Sequence, residues 1–256
     1  MRVAFAGKGG VGKTTLTAAM ARVLAEEGRG VIAFDFDVNP GLAVSLGDLD
    51  RVPVLPDEAV VEDQRAQYGF RLRPGLSPED AVDRFAARGP GGIRVLGFGV
   101  IDSAYHSLAR THMAVREVAA GFERPGWDVL VDLEAGTKDV YDGTYVAFVD
   151  LLVPVTDGSP AADLACRRLV SIADAQGAPP VALVLNRATP ERTEAVRSLA
   201  DTLSVAFAGA IPEDDGVRRA DLAGSPVAAY DRRGPALRAV ERLAGRLRLM
   251  AEGARR

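Results

Sequence analysis

Short apolar runs rich in Val, Ile, Leu and Phe recur along the chain at residues 2–6, 31–36, 93–97, 128–133, 151–155, 181–185 and 205–209. Between several of them, apolar positions return every three or four residues, over 14–27, 161–176, 191–203 and 236–250. The first pattern predicts strands and the second predicts helices with one buried face. The strand runs are nearly continuous instead of alternating, as expected when both faces of a parallel sheet are covered. The pattern therefore predicts an α/β fold, a mostly parallel twisted sheet with helices on both faces. Residues 49–92 break the rhythm with proline, glycine and charge. They are expected to form an irregular insertion of short helices and loops within a single domain spanning 1–256.

In such sheets ligands gather beyond the carboxyl ends of the strands. Candidate chemistry lies at those ends: a glycine-rich loop after the first run, Asp35 and Asp37 after the second, Asp132 and Glu134 after the fourth. The loop is GKGGVGKTT, Gly7 to Thr15. Of 31 basic residues only Lys8, Lys13 and Lys138 are lysines, and two of these lie in this loop. Successive glycine N–H groups, a following helix N-terminus and an ammonium together suit a phosphate chain. Gly7, Gly12, Lys13 and Thr14 fit the G-x-x-x-x-G-K-[ST] template, in which the hydroxyl holds magnesium. Gly9, Gly10, Val11 and Thr15 complete the cradle.

A carboxylate at Asp132 can hold magnesium through its water shell. Gly136, in DLEAG, would let the backbone approach a terminal phosphate and swing away when it leaves. Asp37 is the candidate for placing an attacking water and for the magnesium sphere, or it forms an Asx turn before Asn39-Pro40. Asp35 points the same way and is expected to support Lys13 or Thr14. Lys138 is either a solvated loop charge or a group near the nucleotide.

The net charge of -4 and pI of about 5.4 imply no general attraction to nucleic acid or acidic membrane. The single cysteine, Cys166, excludes an intrachain disulfide framework and is expected to be a small buried hydrophobe. No run reaches the roughly eighteen apolar residues of a spanning helix, and Lys8 interrupts the first apolar stretch before it could serve as a leader. The expected location is the cytoplasm. Leu237, Val240, Leu243, Leu247 and Met250 form an apolar stripe. It is expected to be the last covering helix of the sheet, with a membrane-surface helix as the alternative.

GKGGVGKTT, with its early Lys8, resembles the deviant phosphate loop of the MinD, ParA, nitrogenase-iron-protein and arsenite-pump ATPases, a branch of the P-loop NTPases. The likeness spans nearly the whole chain. DFD resembles that family's first switch and DLEAG its second. It implies ATP and magnesium as ligands and a nucleotide-sandwich homodimer in which Lys8 reaches the partner subunit's phosphates. It also implies an adenine pocket containing Asn186, Arg187, Pro212 and Glu213, and a client protein governed by the nucleotide state. Asn186-Arg187-Ala188-Thr189 lacks the aspartate that reads guanine in N-K-x-D GTPases. Within the family, DLEAG and the segment 93–99 most resemble the CooC-type ATPases that serve carbon monoxide dehydrogenase maturation. Those carry a Cys-x-Cys that binds nickel; here residues 101–113, IDSAYHSLARTHM, hold no cysteine. His106 and His112, with Asp102, are weak replacements, because residues six apart do not share a helix face. A positioning switch or an ATP-dependent metabolite kinase or ligase remains open on the same fold.

Overall fold

The computed structural model describes all residues except 38, 48–52, 67–68, 99–104, 142–147 and 255–256, and excludes the side chains of 105–109 and 228. A central sheet of eight strands runs through it, in the order β10-β9-β8-β1-β7-β2-β6-β5. In chain order these are β1 (Arg2–Ala6), β2 (Gly30–Phe36), β5 (Ala87–Arg88), β6 (Arg94–Gly97), β7 (Trp127–Leu133), β8 (Leu151–Thr156), β9 (Ala182–Ala188) and β10 (Ala206–Pro212). Every neighbouring pair is parallel except the edge pair β5–β6. The chain steps outward from β1 to β2 and β6, returns to place β7 between β1 and β2, then crosses β1 to lay down β8, β9 and β10. The crevice created by that reversal lies beside β1, where the glycine-rich loop begins.

Alternation along the strands feeds two cores. Val3 and Phe5 of β1, Val31 and Ala33 of β2, and Val153 and Val155 of β8 face one side. Ala4, Ala6, Ile32, Phe34 and Phe36 face the other. The first side is covered by α1 (Lys13–Glu26) and α9 (Pro235–Ala254), the second by α4 (Tyr105–Gly121) with α3 (Pro78–Phe85) packed on it. Two further helices, α6 (Pro160–Ala175) and α7 (Pro190–Thr202), cover β8–β10. Cys166 of α6 is fully buried there, and burial pushes its thiol up to about 12. It acts as a small hydrophobe.

The segment 49–92 is more regular than its composition suggests. It contains an antiparallel hairpin of β3 (Val60–Glu62) and β4 (Phe70–Leu72), helix α3 and the edge strand β5. The proline and glycine mark the joints between these pieces, while Leu55, Val60, Leu72 and Val82 are buried in the second core. The Glu117 side chain of α4 fastens the hairpin by accepting the Leu72 N–H at 2.7 Å.

The apolar stripe of α9 is spent on the sheet: Leu237, Val240, Leu243 and Leu247 are all buried, whereas Leu249 stays 71% exposed. Among the described residues no helix is long and apolar enough to cross a membrane. Leu243→Ala should cost about 2–5 kcal/mol in urea unfolding, and Leu249→Ala should stay within about 0.5 kcal/mol. Equal costs would mean that α9 is not seated by this stripe.

Candidate functional site

β1 ends at Ala6, and Gly7 turns the chain into the loop with φ +142°. A Cβ at Gly7 would stand 2.5 Å from the Val155 carbonyl oxygen of β8, so the strand cannot be left this way by another residue. Gly12 caps α1 in the left-handed region, φ +89°. A side chain there would overlap Asn186, whose amide donates to the Val11 carbonyl at 2.8 Å. Asn186, at the end of β9, thus clamps the loop from 175 residues away. The first turn of α1 then presents Lys13, Thr14 and Thr15.

Lys13 is buried, only 6% exposed. Burial lowers its pKa, and the nearby Asp132 and Asp37 carboxylates oppose that shift. The register of the sheet builds this cluster: Asp132 on β7 pairs with Phe5 of β1 on one side and with Asp35 of β2 on the other. Burial pushes Asp132 up to about 7; the Thr14 hydroxyl and Lys13 pull it back, while Asp35 and Asp37 push it further. Its Oδ1 is buried without a hydrogen-bond partner. An orphaned carboxylate oxygen beside a hydroxyl at a helix start is what a hydrated magnesium ion requires.

Asp35 sits elsewhere than expected. Its Oδ2 accepts the Leu42 N–H at 2.9 Å and its Oδ1 accepts the Asp37 N–H at 3.2 Å. It therefore braces the turn that carries Asp37, instead of bonding to Lys13 or Thr14, and burial raises its pKa to about 6. Asp37 makes the Asx turn, accepting the Asn39 N–H at 2.8 Å, and still lies close enough to influence both Lys13 and Asp132.

On the other flank, the Gly136 N–H donates to the Gly7 carbonyl at 3.0 Å, tying DLEAG to the loop. Lys8 does not join the buried cluster. It is exposed, and it lines a shallow cavity of about 410 Å³ with Gly9, Ala135, Gly136 and Leu164. Glu134 is partly buried, and Lys138 is exposed at the start of the short helix α5 (Lys138–Tyr141).

Asn186, Arg187, Pro212 and Glu213 line a single cavity of about 220 Å³ together with Gly12 and Thr15. Arg187 holds a left-handed φ of 53°. Asp214, which sequence reasoning missed, organises the cavity's wall. Its Oδ1 caps α8 (Asp215–Leu222) by accepting the Gly216 N–H at 2.8 Å, and its Oδ2 accepts the Ala236 N–H of α9 at 3.2 Å. Asp-Asp-Gly after the strand is a capping signal that could have found it. Asp139 was also missed; it is buried and accepts the Glu134 N–H at 2.9 Å.

Of the two histidine candidates, only the His112 side chain is described, and it packs against an aromatic ring. Asp102 and the His106 side chain lie outside the described residues. His112 stacks on Phe98, ring centroids 4.0 Å apart, and burial with Arg116 and Lys138 nearby lowers its pKa to about 4. Among the described residues no three His, Cys, Asp or Glu side chains gather as a metal cage.

Comparison with known proteins agrees with this geometry. Residues 3–227 match the family model described as the CobQ/CobB/MinD/ParA nucleotide binding domain. The carbon monoxide dehydrogenase accessory protein CooC of Rhodospirillum rubrum is 29% identical over 252 residues, covering 90% of each chain. An uncharacterised ATP-binding protein of Methanocaldococcus jannaschii is 25% identical over 237 residues, covering 89% of this chain and 91% of its own. The septum site-determining protein MinD of Pyrococcus horikoshii, solved with Mg-ADP, superposes with a TM-score of 0.69 at 20% identity. That match covers 99% of this chain and 98% of the other and shows the fold.

The buried carboxylates carry a consequence for stability. Asp132 and Asp35 are held at about 7 and about 6, above their ordinary 3.8. Above about pH 4 the unfolded chain is ionised at these positions while the native site keeps protons, so the contribution of these two groups to stability falls as pH rises to about 7. Without nucleotide or magnesium, Asp132→Asn should flatten that fall in thermal melts. An unchanged slope would show that Asp132 ionises normally.

Proposed function

The chain belongs to the CobQ/CobB/MinD/ParA nucleotide-binding family and is a P-loop ATPase, and from that premise we propose a magnesium-dependent switch that closes as a nucleotide-sandwich homodimer and governs a client protein. One observation carries this reading: the two loop lysines are divided between two environments. Lys13 is buried against Asp132 and Asp37, where it meets the phosphates of its own nucleotide. Lys8 stands exposed on the rim beside Ala135 and Gly136, available to a second copy of the chain.

In this mechanism the N–H groups of Gly9–Thr15 bind the phosphates and the cavity of Asn186, Arg187, Pro212 and Glu213 takes adenine. Thr14, Asp37 and Asp132 would hold magnesium, partly through water, and the bound ion supplies positive charge to the phosphate oxygens. Asp37 orients the attacking water. Lys8 of the opposing copy adds positive charge where it develops in the transition state. Loss of the terminal phosphate frees Gly136 and the Asp37 turn, and the dimer opens.

The client is proposed to be a metalloenzyme under maturation, supported by the near-full-length likeness to an accessory protein of carbon monoxide dehydrogenase. The nucleotide cycle is the proposed contribution to that maturation. A surface-cycling role is less supported, because the α9 stripe is buried against the sheet.

Calorimetry and turnover test the division of the lysines. Lys13→Ala should abolish ATP binding. Lys8→Ala should bind ATP within about threefold of wild type and lose about 100-fold or more in turnover, the scale of a missing transition-state charge. Equal loss of binding in both variants would end this reading. Asp37→Ala is expected to bind ATP and hydrolyse almost none; normal hydrolysis would reassign the water to another group.

A further inference from the structure

Among the described residues helix α5 spans only Lys138–Tyr141, yet it buries a carboxylate. Asp139 is 6% exposed, and burial raises its pKa to about 6 against the pull of Arg116 on α4. Burying a charge costs stability unless its partners repay it. Its Oδ2 accepts the N–H of Glu134, five residues back, at 2.9 Å. Two residues further on, the Gly136 N–H reaches the Gly7 carbonyl at 3.0 Å. The turn Glu134-Ala135-Gly136 is therefore pinned twice, by Asp139 on one side and by the phosphate loop on the other. Gly136 holds a φ of +111° that favours glycine, and its tie is to the phosphate loop, whereas Glu134 is tied to the buried Asp139.

We infer that Asp139 is a positioning residue for ATP hydrolysis, holding the Glu134 amide so that the DLEAG turn keeps a defined spacing from the phosphate loop. With the Glu134 end anchored, movement of the turn is confined to the Gly136 end, next to the proposed terminal-phosphate position. Without the anchor the whole turn slides and the reacting geometry blurs, while the phosphate cradle of Gly9–Thr15 is untouched. The effect then falls on the chemical step and not on nucleotide capture. The inference deepens the switch reading above but does not depend on dimerisation. Wild-type turnover in Lys8→Ala would remove the trans lysine and leave the Asp139 comparison intact.

The test compares Asp139→Ala with Asp139→Asn in the full chain. Alanine removes the acceptor, whereas the asparagine carbonyl oxygen can receive the same N–H. We expect kcat to fall about tenfold in Asp139→Ala, with KM for ATP and affinity for ADP within about twofold of wild type. Asp139→Asn should return kcat to within about threefold. Amide exchange across residues 133–137 of the nucleotide-free protein should quicken in Asp139→Ala and match wild type in Asp139→Asn. Wild-type kcat and exchange in Asp139→Ala would overturn the inference. So would an asparagine variant as impaired as alanine, or a loss of ADP affinity parallel to the loss of kcat.

Discussion

The molecule is organised around a buried electrostatic conflict. The parallel register of β1, β7 and β2 sets Asp132 beside Asp35 at the carboxyl edge of the sheet, with Lys13 the nearby cation. Burial pushes both carboxylates above their ordinary range, and the charge of Asp35 adds to the rise at Asp132. A fold under no functional demand would put apolar side chains there, since replacing buried charges by well-packed hydrophobes is often neutral or stabilising. In the proposed mechanism a divalent ion would relieve the cost of ionising Asp132, so the buried carboxylate fits the nucleotide complex the site is proposed to hold.

The surrounding structure braces that edge from both flanks. Asn186 and the positive φ of Gly12 fix the cradle. Asp35 holds the turn bearing Asp37, and Asp139 holds the turn after Asp132; each carboxylate grips a backbone N–H within a few residues of its own position. The two flanking turns are thus built alike, a buried acidic side chain serving as the hinge post of a short segment. Glycine and solvent exposure are kept for the parts facing the nucleotide and the proposed second copy.

Much of this was legible in the sequence because it is written in consecutive residues. The loop from Gly7 to Thr15 is one uninterrupted signal, and the β-branched runs gave β1, β2, β6, β7 and β8 to within a residue, while β9 and β10 each run three residues beyond their expected ends. Asp132 and Asp37 lie at strand ends, where the alternation itself placed them, whereas Asn186, Arg187, Pro212 and Glu213 of the 220 Å³ cavity were implied by the family resemblance. What escaped depends on distance. The β3–β4 hairpin is fastened by α4 across the insertion, and its three-residue strands are too short to show an alternation of their own. The role of Asp35 could not be seen from DFD alone, since its partner Leu42 is fixed only once the chain folds back. Asp139 reads as an ordinary polar residue until its backbone partner comes into view, and Asp214 carries a local capping signal while its bond to Ala236 depends on the fold. His112 was read as a possible ligand because the sequence could not show the Phe98 ring stacked against it.

The central claim is that the exposed Lys8 is completed by a second copy when ATP fills the site. The most direct measurement is the solution mass of the wild-type protein by light scattering, with magnesium and either ADP or a non-hydrolysable ATP analogue. The account predicts the 27.0 kDa monomer with ADP and twice that mass with the analogue. A monomer in both states, in a preparation that hydrolyses ATP at full rate, would contradict it.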